Sequence, residues 1–241
     1  SKTLCRTRYT APIPPCPRSF STVYFSNVSK KVRQKTKNKE KREITEFIDV
    51  EAAKGVNISL VQCDKYGIEV VTEGCPTADV ETVVKKDKLT VKMKKRTPGS
   101  AVQVFIYFKD INSVVLKGGA SVMTDCLFAH KGEFKLDLGA QCEAEMEVEI
   151  GKLIVEANTS IIEMSGKADC QEVFISGTLG ESNYNAESLY TKTTQIEVSN
   201  SDAVVRASES IDAIAAGGKI KCIGTNNVSE KISFGGEIIK E

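Results

Sequence analysis

A short pattern recurs seven times in the second half of the chain, and it constrains the fold more than any other feature of the sequence. In every copy the first residue is apolar and the fourth is Gly, Asn, Thr or Ser; in six copies the seventh is Val, Cys or Ile, with Glu181 as the exception. The copies begin 20, 19, 20, 23, 16 and 18 residues apart, at Leu116, Leu136, Val155, Ile175, Val198, Ile214 and Ile232. A unit of this length cannot bury its apolar residues alone, so the repeat predicts units that stack on one another.

The stacked units predict an all-β fold, a right-handed parallel β-helix or β-solenoid-like stack of short rungs that starts near residue 116. The small fourth residues fit tight corners, because Gly tolerates a positive φ and Asn or Ser can satisfy nearby backbone groups. Ahead of the repeat, residues 43–109 contain period-2 segments separated by turn residues, which predicts a β-strand-rich section. The final strand, residues 237–241, is predicted to be an exposed edge guarded by charges.

Charge divides the chain into two predicted domains. Residues 1–42 contain twelve Lys and Arg and one acid, and they form a basic, Pro-containing N-terminal arm or linker, expected to be extended or disordered in isolation. Residues 43–241 contain 21 basic and 31 acidic residues and form the β-solenoid domain. The arm has three open interpretations: a linker to a removed or membrane-bound N-terminus, a transit-like segment with processing around residues 18–21, or a surface for anionic lipid or nucleic acid. Its aromatic residues lie outside the densest basic run, which argues against nucleic acid.

The cysteines and the single histidine predict no metal or cofactor. None of the eight cysteines has a partner at C-x2-C spacing, and His130 is the only histidine of the chain. Two disulfide pairings are possible in an oxidising compartment, Cys63–Cys75 and Cys5–Cys16. The remaining cysteines are predicted to be small buried hydrophobic residues: Cys126, Cys142, Cys170 and Cys222.

No catalytic constellation accompanies the repeat, so the sequence predicts a protein that is not an enzyme and has no catalytic, cofactor-binding or metal site. β-Solenoid enzymes that cleave polysaccharides need clustered carboxylates on one face. Glu143, Glu145, Glu147 and Glu149 instead alternate with apolar residues, which predicts the solvated face of a strand. His130 has no Ser, Cys or acid at a recognisable spacing and is predicted to lie on the surface at a corner. A carbohydrate-active β-helix enzyme is the second alternative.

The body resembles the putative autotransporter adhesin family that carries the head GIN domain, whose members repeat a small-residue segment of the L-S-G-A-G-D-V type. The matching segments are residues 116–122, 175–180, 214–220 and 232–238, and the opening of the family is matched by residues 47–50, 56–62 and 89–93. Residues 158–160 and 200–202 carry Asn, Ser, Thr or Asp in place of the family's glycines. The resemblance implies a β-helix-like fold in a cell-envelope setting and supplies no catalytic residue.

These features together predict a non-enzymatic surface or periplasmic binding module, adhesion-like, whose partner is a protein or glycan at a cell surface. The predicted location is the cell envelope, periplasmic or surface-exposed, with an anchor as one option. The alternative is a structural accessory subunit of a larger membrane-associated assembly, mitochondrial in one version, which the basic arm would contact. No stretch has the roughly 18 to 20 apolar residues that a membrane-spanning helix needs.

Overall fold

In a computed structural model of the protein, residues 36–95, 97–178, 180 and 182–241 are described. Their only helix is a short 3-10 turn, Thr77–Asp79, and the prediction of an all-β fold is confirmed. Among the described residues, no helix is long and apolar enough to cross a membrane. The strands in chain order are β1 (Lys37–Arg42), β2 (Asp49–Ala53), β3 (Asn57–Gln62), β4 (Gly67–Glu73), β5 (Val80–Lys85), β6 (Lys88–Met93), β7 (Ala101–Phe108), β8 (Ser113–Lys117), β9 (Ser121–Thr124), β10 (Phe128–Leu138), β11 (Glu143–Asn158), β12 (Ile161–Ser176), β13 (Asn183–Ile223), β14 (Val228–Ser233) and β15 (Glu237–Lys240).

The second half of the chain pairs in parallel with itself. β10 lies between β8 and β11, β12 lies between β11 and β13, and β13 also pairs with β14 and β15. Leu136 lies opposite Val155, which in turn lies opposite Val173. Alternate residues of β11 are buried on both sides of its middle, so the sheet curls around one apolar core.

The first half makes the sheet mixed. β2 lies between β6 and β8, and β3 lies between β7 and β9, all in parallel pairs. The strands β6 and β7 therefore flank β2 and β3 on one side, and β8 and β9 flank them on the other. β1 pairs with β4, β4 with β7 and β5 with β6, all antiparallel. The β5–β6 hairpin turns through Lys86 and Asp87, whose φ values of 50° and 60° are those of a type I′ turn.

The repeat is in register with the strand pairing in some copies and offset in others. Leu136 and Val155 lie opposite each other as predicted, and so do Ile175 and Val198. Leu116, however, lies opposite Leu138 rather than Leu136. An offset of two residues keeps the same side chains on the core face, so the apolar pattern of the sequence does not distinguish the two registers.

The described body begins upstream of residue 43, because Lys37–Arg42 of the basic segment forms β1. Residues 1–35, with the Cys5–Cys16 pair and the processing region 18–21, lie outside the described residues. Arg42 anchors β1 by donating to the carbonyl oxygens of Val80 at 2.7 Å and Thr77 at 2.9 Å. It also binds both carboxylate oxygens of Glu40 at 3.0 Å.

Replacing Glu40 with glutamine is expected to lower stability at neutral pH and to have no effect near pH 2. Hydrogen bonds from Arg42 and Thr77 lower the pKa of Glu40 from 4.5 to about 2. The ionised carboxylate therefore stabilises the fold fully above pH 4.5, and this contribution is lost as the pH falls from 4.5 to about 2. Because the side chain is 41% exposed, the loss stays below about 1 kcal/mol. Urea unfolding of both proteins across this pH range measures it, and a stability difference that persists at pH 2 would contradict the assignment.

The cysteines divide between core and surface. Cys142 and Cys222 are buried as predicted, and burial raises the pKa of Cys222 to about 11. The prediction is wrong for Cys126 and Cys170, which are only half-buried. Cys63 and Cys75 form no disulfide in the described structure; the Cys63 thiol donates instead to the Lys65 carbonyl at 3.4 Å.

The edge formed by β14 and β15 carries inward-pointing charges. Glu230 lies opposite the buried Ala213, and Lys240 lies opposite the buried Cys222, so both side chains belong to the core side of the sheet. Their charged groups are 3.4 Å apart. Inward-pointing charges protect an open sheet edge from pairing with another edge, which agrees with the prediction that charges guard this end.

Candidate binding groove

An open groove crosses the parallel strands where they bend. Its volume is about 760 Å³, within the range of sites that hold small molecules or parts of larger ligands. Its lining comes from six successive segments of the chain, at residues 130–131, 149–151, 167–169, 190–192, 206–208 and 224.

A β-bulge shapes one end of the groove. The register between β10 and β11 shifts between His130 and Glu133, so that Lys131 and Gly132 together lie opposite Gly151. A Cβ atom at Gly151 would be 2.3 Å from the Lys131 carbonyl oxygen, and only glycine allows this close approach. Bulges of this kind bend a strand and redirect its side chains, which here places the Lys131 side chain on the groove.

Tyr190 and Arg206 form the centre of the groove. The Tyr190 side chain is 59% exposed, and the Arg206 guanidinium lies 5.2 Å from its ring centroid. Arg206 Nε also donates to the Glu187 carbonyl oxygen at 2.8 Å, which fixes the guanidinium over the ring. An exposed aromatic ring beside an oriented arginine is a combination enriched in binding hot spots.

The groove is basic although the body around it is acidic. Its lining contains Lys131, Lys167, Lys192 and Arg206 against the carboxylates of Glu149 and Asp169. Lys192 binds Asp169 at 2.7 Å, and this hydrogen bond raises the pKa of Lys192. Lys131 and Lys167 are exposed and form no ion pair with the part of the chain that the structure describes. The groove is thus a local positive region, which concentrates anions near it.

A buried hydrogen-bond chain lies beneath the groove wall. Tyr184 donates to Gln171 Oε1 at 2.8 Å, and Gln171 Nε2 donates to the Thr194 hydroxyl at 3.0 Å. The Thr194 and Thr191 hydroxyls are 2.9 Å apart, and Thr191 donates to the Arg206 carbonyl oxygen at 2.6 Å. Burial raises the pKa of Tyr184. A satisfied buried network of this kind rigidifies its surroundings, so it holds the backbone that carries Arg206.

His130 is not the surface histidine that the sequence predicts. Its side chain is buried at one end of the groove, and its Nδ1 lies 2.7 Å from Asp110 Oδ1. The ring stacks on Phe128 with centroids 6.2 Å apart. The acidic partner, Asp110, lies 20 positions earlier in the chain. Parallel stacking of the strands brings residues at this separation into contact.

The acidic residues of β11 lie as predicted. Glu143, Glu145, Glu147 and Glu149 are exposed and alternate with buried apolar residues. Glu145 lies opposite Glu163, a like-charge neighbour, in a second and smaller depression of about 260 Å³. No cluster of three or more His, Cys, Asp or Glu side chains in the described ranges could hold a metal ion.

The fold and the groove define an all-β domain with an open, basic groove. The chain belongs to the family described as putative auto-transporter adhesin, head GIN domain, whose model matches residues 46–225. The resemblance inferred from the sequence is confirmed. No curated protein sequence matches the chain.

Solved structures share this fold at low sequence identity. A putative adhesin from Bacteroides fragilis is 19% identical with a TM-score of 0.75, over 86% of this chain and 97% of the other. A putative adhesin from Parabacteroides merdae is 16% identical with a TM-score of 0.66, over 85% and 96%. A putative lipid binding protein from Parabacteroides distasonis is 15% identical with a TM-score of 0.63, also over 85% and 96%. At these identities the likeness concerns the fold alone.

Proposed function

We propose that this protein is a non-enzymatic, adhesion-like binding module of the cell envelope, periplasmic or surface-exposed, and that the groove is where it holds a protein or glycan. The family membership supports a binding role, and the bacterial structures described as putative adhesins support the envelope setting. The neighbour described as a putative lipid binding protein makes a lipid the competing ligand class.

The observation that carries this proposal is the Tyr190–Arg206 pair. A tyrosine ring that is 59% exposed offers a rigid apolar surface with a polar tip, on which a ligand can pack at low conformational cost. The buried hydrogen-bond chain from Tyr184 to Thr191 ends on the Arg206 carbonyl oxygen and so holds the backbone of the Tyr190–Arg206 pair in place. A rigid aromatic platform with a fixed cation beside it is suited to recognition.

We further propose that the scaffold is a right-handed parallel β-solenoid over its second half. The parallel ladders support this arrangement, because successive partners are separated by similar steps of 17 to 23 residues along the chain. Leu136 lies opposite Val155, Val173 opposite Ile196 and Ile211 opposite Val228. In such a stack every turn of the chain adds one row to the groove, which explains why six successive segments line it.

The absence of enzymatic activity is part of the proposal. Polysaccharide cleavage needs two carboxylates free to act as acid and base or nucleophile. Of the two carboxylates on the groove, Asp169 is bound to Lys192. His130 is buried against Phe128 and held by Asp110, which suits a structural role in the corner.

Replacing Tyr190 with alanine is expected to weaken ligand binding about tenfold. The measurement passes beads coated with the full chain over surfaces that each carry one immobilised probe. The probes are dextran, mannan, polygalacturonate, heparin, collagen and phosphatidylglycerol vesicles. Wild-type beads should be retained on at least one probe. Phe234→Ala is the matched control, because Phe234 is also an exposed aromatic residue, at 91%, and lies outside the groove. Equal retention of the two variants, or no retention of wild type on any probe, would overturn the proposal.

A further inference from the structure

We infer that the ligand of the groove is an acidic polysaccharide, with a sugar ring stacked on Tyr190 and its carboxylate or sulfate groups bound by Lys131 and Lys167. This inference rests on the proposed binding function and names its ligand class.

The shape of the groove favours a polymer. Six successive segments contribute to the lining, and five steps of about 4.8 Å between neighbouring strands give a length of roughly 24 Å. The groove is open along this length rather than closed around a cavity. A compact solute would leave most of it in water, whereas an extended chain would cover it from end to end.

The charge distribution favours an anion. Of the four cations on the groove, Lys192 is bound to Asp169 and Arg206 is placed over Tyr190. Lys131 and Lys167 are left without an ion-pair partner in the described structure. They lie on the first and third of the stacked segments, so roughly 10 Å of groove separates their backbones. Glu149 lies on the segment between them, directly opposite Lys167, so the two lysines exceed the carboxylates of this stretch by one charge. Two anionic groups at a similar spacing along a polymer can bind both.

The apolar part of the lining favours a sugar over an acyl chain. It consists of the Tyr190 ring together with small, nearly buried residues such as Ala168 and Ala207. An aromatic ring with a polar tip stacks well on the C–H face of a pyranose. An acyl chain would instead need a deep apolar slot, and this open groove does not provide one.

The test compares acidic polymers with the same polymers after their charge is removed. Polygalacturonate is paired with its methyl ester, and heparin with its desulfated, N-acetylated and carboxyl-reduced form; the full chain is the analyte, and phosphatidylglycerol vesicles are a third arm. Wild type should bind at least one acidic polymer, with an affinity that falls as salt is raised, and should bind the neutral counterpart at least about tenfold more weakly. Lys131→Ala/Lys167→Ala should lose about 25-fold in affinity, about fivefold per lysine.

Lys85→Ala/Lys231→Ala is the control, because both lysines are exposed and lie outside the groove. Both double variants change only exposed side chains, so both should keep the wild-type melting temperature. Equal affinities of the two double variants for the acidic polymers would overturn the inference.

The remaining outcomes separate the inference from the function on which it rests. If the neutral polymers bind as tightly as the acidic ones and still need Tyr190, the binding function stands and the anionic ligand is wrong. If only the vesicles bind and still need Tyr190, the ligand is a lipid headgroup and the polysaccharide is wrong. If nothing binds in a Tyr190-dependent way, both proposals fall.

Discussion

Replacing Gly166 with alanine is expected to destabilise the folded protein by about 3 kcal/mol, which would lower its melting temperature by roughly 6 to 12 °C. Gly166 has a φ of 102°, and a Cβ atom there would be 2.1 Å from the carbonyl oxygen of Val148. Val148 is its direct neighbour in the β11–β12 ladder, so the backbone cannot move away without breaking hydrogen bonds of that ladder. Thermal and urea unfolding followed by circular dichroism measure the loss.

Gly235→Ala separates the clash from the backbone conformation. Gly235 also has a positive φ, 76°, but a Cβ atom there would meet nothing within 4 Å. Its replacement should cost about 1 kcal/mol, the cost of placing alanine in the left-handed region. If the two variants melted within two degrees of each other, the close approach of β12 to β11 at Gly166 would be wrong.

Gln171→Leu has an expected effect of similar size, a loss of about 3 kcal/mol in the free energy of unfolding. The leucine leaves the buried Tyr184 hydroxyl without its acceptor and removes the donor to Thr194. Since the network also holds the backbone of Arg206, the variant should bind the groove's ligand more weakly even at temperatures where it is fully folded.

A double variant gives the sharper test of this network. Adding Tyr184→Phe to Gln171→Leu removes the orphaned hydroxyl, so the double variant should be more stable than Gln171→Leu alone. Removing both partners of a buried hydrogen bond is often nearly neutral, whereas removing one is costly. Additive losses in the double variant would show that Tyr184 and Gln171 do not act through their hydrogen bond.

Much of the fold could be predicted from the sequence because alternation reports directly which residues face the core. The exposed glutamates of β11 and the buried leucines and valines of the parallel half follow from that pattern. The register and the order of the strands do not, because an offset of two residues preserves the face of every side chain. The placement of β2 between β6 and β8 likewise depends on long-range pairing that no local pattern records.

The groove could not be predicted because irregularities of the strands create it. Strict alternation from the buried Tyr184 would place Tyr190 inside as well. The register between β12 and β13 instead shifts between Glu163 and Ser165, which gives β13 one extra residue and turns Tyr190 outward. The bulge at Lys131 redirects a side chain in the same way at one end of the groove. A single sequence shows neither bulge, so the residues that form the candidate site look like ordinary strand positions.

The strand β1 was missed for a different reason. Its six residues are all charged or polar, which is a composition typical of a solvated segment. Tertiary contacts override that preference: Arg42 is bound to the backbone of Val80 and Thr77, and Lys39 lies 2.7 Å from Glu69.

The most direct test of the central claim, that this groove is the binding surface, is to titrate the isotope-labelled full chain with oligogalacturonate and follow its backbone amide resonances. The account predicts that the largest shifts occur at residues 131, 167–169, 190–192 and 206–208, with little change around Glu145 and Glu163. Shifts concentrated around Glu145 and Glu163 or on β14 and β15, with the groove resonances unmoved, would contradict it.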